Sequence, residues 1–148
     1  MVFCVPLREG DRFATGVIGR VAPAGRILLG YFFEPARDAL LDLREASGLG
    51  PANAIYVALL GDQGFADGSW PVIGPMPGWR KKDWPMPEFC RPVDGDRAFL
   101  AVSYKSDDVS ADGAVRPISQ EECGRLPEDG LAGSGFVELR LTRLLTAS

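Results

Sequence analysis

Arg26-Ile27-Leu28-Leu29-Gly30-Tyr31-Phe32-Phe33 is the stretch on which the fold turns. It is apolar almost without a break, rich in branched and aromatic side chains, and shows little alternation, so it reads as a central strand buried on both faces. Toward the N-terminus, Ala22-Pro23-Ala24-Gly25 is a turn, and Phe13 to Val21 is a second strand in which Gly16 and Gly19 mark a bend or a close backbone approach. Arg8-Glu9-Gly10-Asp11 is another turn, with Gly and Asp supplying unusual backbone angles, and Phe3 to Leu7 is a third strand. Three strands joined by short turns make an antiparallel meander.

Toward the C-terminus, Pro35 at a first helical position and Gly48 just past an end predict a helix over Ala36 to Ser47. Ala36, Leu40, Leu43 and Ala46 form its apolar face, which packs on the sheet. Asn53 to Leu60 reads as a strand and Gly61 to Gly68 as a polar loop. Five prolines from Pro71 to Pro87 forbid a regular central strand or helix and imply an extended, surface-hugging segment. Strand character resumes at Phe89-Cys90-Arg91 and from Arg97 to Tyr104. Ser119 and Glu122 make a capping box for a short helix that Pro127 stops. From Phe136 to Leu145 the pattern suits a strand and a helix equally. The fold class expected is α+β: a strongly bent antiparallel sheet, or a partly closed small β-barrel, with two or three short helices packed on it. One domain spanning residues 1–148 is expected at this length.

The composition narrows the function. Eighteen Gly and twelve Pro in 148 residues imply many turns, whereas 46% hydrophobic and 24% charged residues are ordinary for a globular chain. The net charge is −4, and residues 105–129 alone hold seven acids against three bases, so one surface region is negative and the remainder balanced. That distribution disfavours nucleic acid as a partner. No run approaches the ~18 apolar residues of a membrane span, and the N-terminus lacks a basic lead to an apolar stretch, so a cytoplasmic protein is expected. Cys4, Cys90 and Cys123 are odd in number and widely spaced, which predicts three buried, reduced thiols and neither a disulfide nor a zinc site.

Catalytic motifs are scarce. The absence of histidine removes the Ser-His-Asp and Cys-His hydrolases and the most common general base. Cys90 alone has a cation beside it, Arg91, and reads as a packed strand cysteine. Asp108-Val-Ser-Ala-Asp112-Gly113 copies the opening of a calcium loop, but Ser119 stands where the bidentate Glu belongs, so a solvated acidic turn is expected and no metal. Trp70, Trp79 and Trp84 flank Arg80-Lys81-Lys82, a set that can stack bases. The reading preferred is that these tryptophans pin the Pro-rich segment to the core and leave one as an interface anchor. Neither a catalytic set nor a cofactor is predicted.

Set out in order, these elements carry a family pattern. Phe3 to Leu7, Phe13-Ala14 and Gly16 to Val21 resemble the opening hairpin of the immunity protein 26 family of bacterial polymorphic toxin systems. Trp70-Pro71-Val72-Ile73-Gly74, with Pro77 and later Pro87 and Phe89, is the strongest part of the likeness. Glu121-Glu122-Cys123, Val137-Glu138 and Arg140-Leu141 are similar to later elements. The resemblance implies neutralisation of a cognate toxin by tight non-covalent binding. From charge, the contact surface expected is Asp107, Asp108 and Asp112 with Glu121 and Glu122 nearby, and Trp79 as an aromatic anchor. The alternatives are a peptide-binding barrel module, recognisable by a groove between aromatic residues, and a small His-free hydrolase, recognisable by a deep polar cleft.

Overall fold

A computed structural model describes residues 1–23, 26–105, 109 and 112–146. The first three strands, β1 (Val2–Pro6), β2 (Phe13–Val21) and β3 (Ile27–Arg37), form the predicted meander. β4 (Tyr56–Gly61) continues it, and β5 (Val72–Gly74) adds to the far side of β1. Together with β9 (Leu131–Ala132) they make a six-stranded sheet in the order β5-β1-β2-β3-β4-β9. The sheet is open, and it is mixed, because β9 runs parallel to β4. A second antiparallel sheet comprises β6 (Phe89–Val93), β7 (Ala98–Tyr104) and β8 (Asp112–Ile118). Three short or modest helices complete the α+β fold: α1 (Gln63–Ala66), α2 (Gln120–Cys123) and α3 (Ser134–Thr146).

Period-two alternation sends the meander's side chains into two separate cores. Val2, Cys4, Leu29, Tyr31 and Phe33 pack on one face with Trp84, Met76 and Phe89, so the Pro-rich segment and the small sheet cover that side. Phe3, Val5, Leu28, Phe32 and Leu60 pack on the other face with Trp70, Val137 and Leu141. β3 feeds both, which is why its sequence shows no polar face. Gly16 and Gly19 are the close approaches expected: Gly16 lies under the Phe3 ring and Gly19 under Tyr31.

Three expectations fail. No α-helix spans Ala36 to Ser47: β3 extends through Arg37, which pairs with Phe13, and Arg12 Nη2 donates to the Ala36 carbonyl at 2.8 Å. Pro35 follows a cis peptide bond inside that strand and does not open a helix. Helical geometry is confined to a 3-10 turn at Leu43–Gly48, because the Asp42 side chain captures the Arg44 N–H and caps the chain there. Leu40, predicted to be on the buried face, is exposed, and Leu41 is buried in its place.

The cysteine expectation fails for two of three residues. Cys90 and Cys123 form a disulfide across 33 positions, whereas Cys4 is free and buried. α2 packs on β6 and β7, which sets the two sulfurs together; spacing along the chain carries no trace of it. Third, the polar loop after Gly61 contains α1, whose Gly64 lets the backbone rest on the Trp70 indole. The ambiguous C-terminal stretch resolves as α3, with Val137 and Leu141 one turn apart on its buried side.

Candidate functional site

Of the predicted contact residues, Glu121, Glu122 and Trp79 have described side chains, and Trp79 lies apart from the other two. Asp107 and Asp108 lie outside the described residues; of Asp112 only the backbone is described, opposite Tyr104 in the small sheet. Glu121 and Glu122 stand side by side and exposed on α2, the Ser119 hydroxyl accepting from the Glu122 N–H at 3.1 Å, which is the N-cap half of the predicted capping box. Both carboxylates are engaged by arginine. Glu121 holds Arg125 at 2.6 Å, and Glu122 lies 3.5 Å from Arg116. Arg116 in turn grips Glu88 through two nitrogens, and that pairing holds the Glu88 carboxyl below its usual range.

Trp79 is half-buried against the first core, and its Nε1–H finds no acceptor among the described residues. It lines a shallow hollow of about 250 Å³ with Met1, Ile18 and Val21, apart from Glu121 and Glu122. Trp70 and Trp84 are buried pins, as expected. Trp70 donates its indole N–H to Glu138 of α3 at 2.9 Å, and Trp84 meets Tyr31 edge to face at 5.0 Å.

A larger concavity lies where the two sheets meet. After α2 the chain runs as an extended strip, first beside β6 and then beside β4. Cys90 donates to Pro127 O at 2.8 Å and accepts from Asp129 N at 2.9 Å, so the strip adds to the small sheet at that point. Gly130, with a φ of +152° that favours glycine, pivots the strip, and Leu131 and Ala132 then pair with Leu59 and Leu60. The disulfide fastens its upstream end. Asp129, its side chain 8% exposed, is held by Arg91 Nε at 2.7 Å and accepts from the Tyr104 hydroxyl. Burial, then the bond to Asp129, pushes the Tyr104 hydroxyl up to about 12.

Strip and strand diverge on the N-terminal side of Leu59. β4 pairs with β3 along one edge, but on the other edge, among the described residues, only Leu59 and Leu60 are paired. Between Tyr56 and Val57 on one wall and Glu128 on the other open two adjoining hollows of about 440 and 350 Å³. Arg140 of α3 lies over the Tyr56 ring, 5.7 Å from its centre, and burial with the nearby Glu128 charge raises the Tyr56 hydroxyl. Leu131 and Phe136 at the mouth are 61% and 51% exposed. Leu131, Phe136 and Tyr56 belong to no motif; the one signal in the sequence is the helical alternative for 136–145, which puts Phe136 and Arg140 one turn apart on the face adjoining Val137 and Leu141. Such a site offers an open strand edge, an apolar lip and two charges.

No curated protein and no solved structure matches the chain. The family model for immunity protein 26 matches residues 1–96, which hold the meander and the Trp70 to Phe89 segment; Glu121–Cys123 and Val137–Leu141 lie beyond the match. Among the described residues no helix is long and apolar enough to cross a membrane. The chain belongs to the immunity protein 26 family.

Proposed function

We propose that this protein binds a cognate polymorphic toxin and neutralises it by non-covalent occlusion, acting as one domain in the cytoplasm of the cell that makes it. Membership of the immunity protein 26 family, matched over residues 1–96, carries the reading. It asks for no catalysis, and the chain has no histidine to serve as a general base. The acid-rich stretch from Lys105 to Asp129 supplies a negative field that draws a basic toxin and raises the association rate. Asp107, Asp108, Asp112, Glu121 and Glu122 carry that part of the proposal, and Trp79 is proposed as a separate aromatic anchor.

Co-expression with the toxin encoded by the adjacent gene tests the reading. Rescue of growth and recovery of a stoichiometric complex are expected; a protein that neither protects nor co-purifies would overturn it. Reversing Asp107, Asp108 and Asp112 to Lys is expected to slow association and flatten its salt dependence. A second reading, a peptide-binding module of another pathway, is favoured by one observation, the groove between the aromatic Tyr56 and Phe136.

A further inference from the structure

The groove between β4 and the strip has the hydrogen-bonding edges that a missing strand would pair with. Along β4, residues 56–58 pair with β3 on one side and, among the described residues, with no strand on the other. Across the gap, Pro127 and Asp129 spend their carbonyl and amide on Cys90, while the Glu128 N–H and C=O take no backbone partner among the described residues. Successive peptide groups of an extended chain point to opposite sides, so the Glu128 pair faces away from β6. An extended chain laid in the gap meets hydrogen-bonding groups on both flanks. β9 already fills the equivalent place beside Leu59 and Leu60.

The side chains narrow the occupant. Arg125 is held by Glu121 and Asp129 by Arg91, but Arg140 and Glu128 have no ion-pair partner among the described residues. Leu131 and Phe136 stay more than half exposed at the same mouth. A complementary segment brings an apolar side chain for these two, a carboxylate for Arg140 and a cation for Glu128.

We propose that an extended segment of the toxin adds here as a strand between Tyr56–Ala58 and Glu128, joining the large and small sheets through the partner's backbone. The proposal rests on the toxin-binding reading and assigns it a surface. It differs from a contact through surface charge alone, because main-chain pairing carries affinity and the alternate side chains carry selectivity.

The test uses the full chain and the inactivated toxin domain encoded beside it. Gly133→Trp fills one hollow: a Cβ there meets nothing within 4 Å, and Gly133 is not in the left-handed region. Arg140→Glu and Phe136→Asp alter exposed side chains, and Leu40→Asp alters an exposed apolar residue outside the groove. Affinity is expected to fall by about 10-fold or more for each groove variant, and by less than about 2-fold for Leu40→Asp. Amides of Tyr56, Ala58 and Glu128 should gain hydrogen-exchange protection in the complex. If Gly133→Trp does not fold, the two exposed substitutions decide. Tight binding by wild type with unchanged affinity of the groove variants, or with no added protection at these amides, refutes strand addition and leaves toxin binding standing. Absence of binding by wild type refutes the underlying reading as well.

Discussion

Replacing Gly16 with alanine sets two opposing effects of known size against each other. Alanine restricts the unfolded chain and, where the native backbone accepts it, stabilises by about 0.4–1 kcal/mol. Here its Cβ would fall on the Phe3 ring, 2.8 Å from both Cε atoms, inside any van der Waals contact. Phe3 stands directly opposite Gly16 across the β1–β2 ladder, so the two backbones cannot part without breaking the ladder. Nor can the ring swing aside. It is fully buried, edge-on to Phe65 at 4.9 Å and to Phe32 at 5.7 Å, and stacked on Trp70 at 5.9 Å. Overpacking of this kind costs about 1–3 kcal/mol, which outweighs the entropic gain. The expected net is a loss of about 1–2 kcal/mol, or roughly 2–8 °C in Tm for a chain of this size. Urea unfolding followed by circular dichroism measures it, with Gly61→Ala as the matched strand control, since a Cβ at Gly61 meets nothing within 4 Å. Phe3→Leu in the Gly16→Ala background should cost less than the two single changes added together. A Gly16→Ala midpoint equal to or above wild type would refute the packing argument.

Two further outcomes follow from the strip. Opening Cys90–Cys123, by reductant or by Cys90→Ser with Cys123→Ser, should remove about 3–4 kcal/mol on the chain-entropy account of a closure across 33 positions. The urea midpoint should fall with reductant in wild type and not respond in the double variant, and an insensitive wild type would mean that the bond does not form. At alkaline pH, Tyr104 should contribute a decline in stability. Its native hydroxyl is raised to about 12 from a usual value of 10, so its stabilisation is intact below the unfolded value and is lost as pH climbs through the native one. Tyr104→Phe should abolish that share of the decline and cost about 1–3 kcal/mol at neutral pH by leaving Asp129 short of a donor.

What could be read in advance follows from which interactions are local. The meander was legible because apolar runs and turn residues alternate along the chain itself, and the glycines under Phe3 and Tyr31 announced themselves inside strand patterns. The Ser119 cap was legible for the same reason. Ala36 to Ser47 misled because its helical spacing was real, yet Phe13–Arg37 pairing and the Asp42 cap, one of them 24 positions distant, decided the matter. The disulfide was illegible, since it depends on α2 reaching β6. So was the groove, which exists only because the strip leaves one sheet before joining the other. Charge counting found Glu121 and Glu122 but missed Arg116 and Arg125 folded onto them, since the arginines' aim is a matter of side-chain geometry.

The bond from Trp70 to Glu138 sets a rule for making chimeras. Trp70 lies inside the family match over residues 1–96, and the carboxylate that accepts its indole N–H lies outside it, as do Val137 and Leu141 against the same core. Grafting residues 1–96 onto a foreign tail would leave one broad oily side of the large sheet wet and a buried donor stranded. Hybrids intended to exchange specificity between members should therefore carry the C-terminal helix along with the N-terminal meander, as a single inherited block.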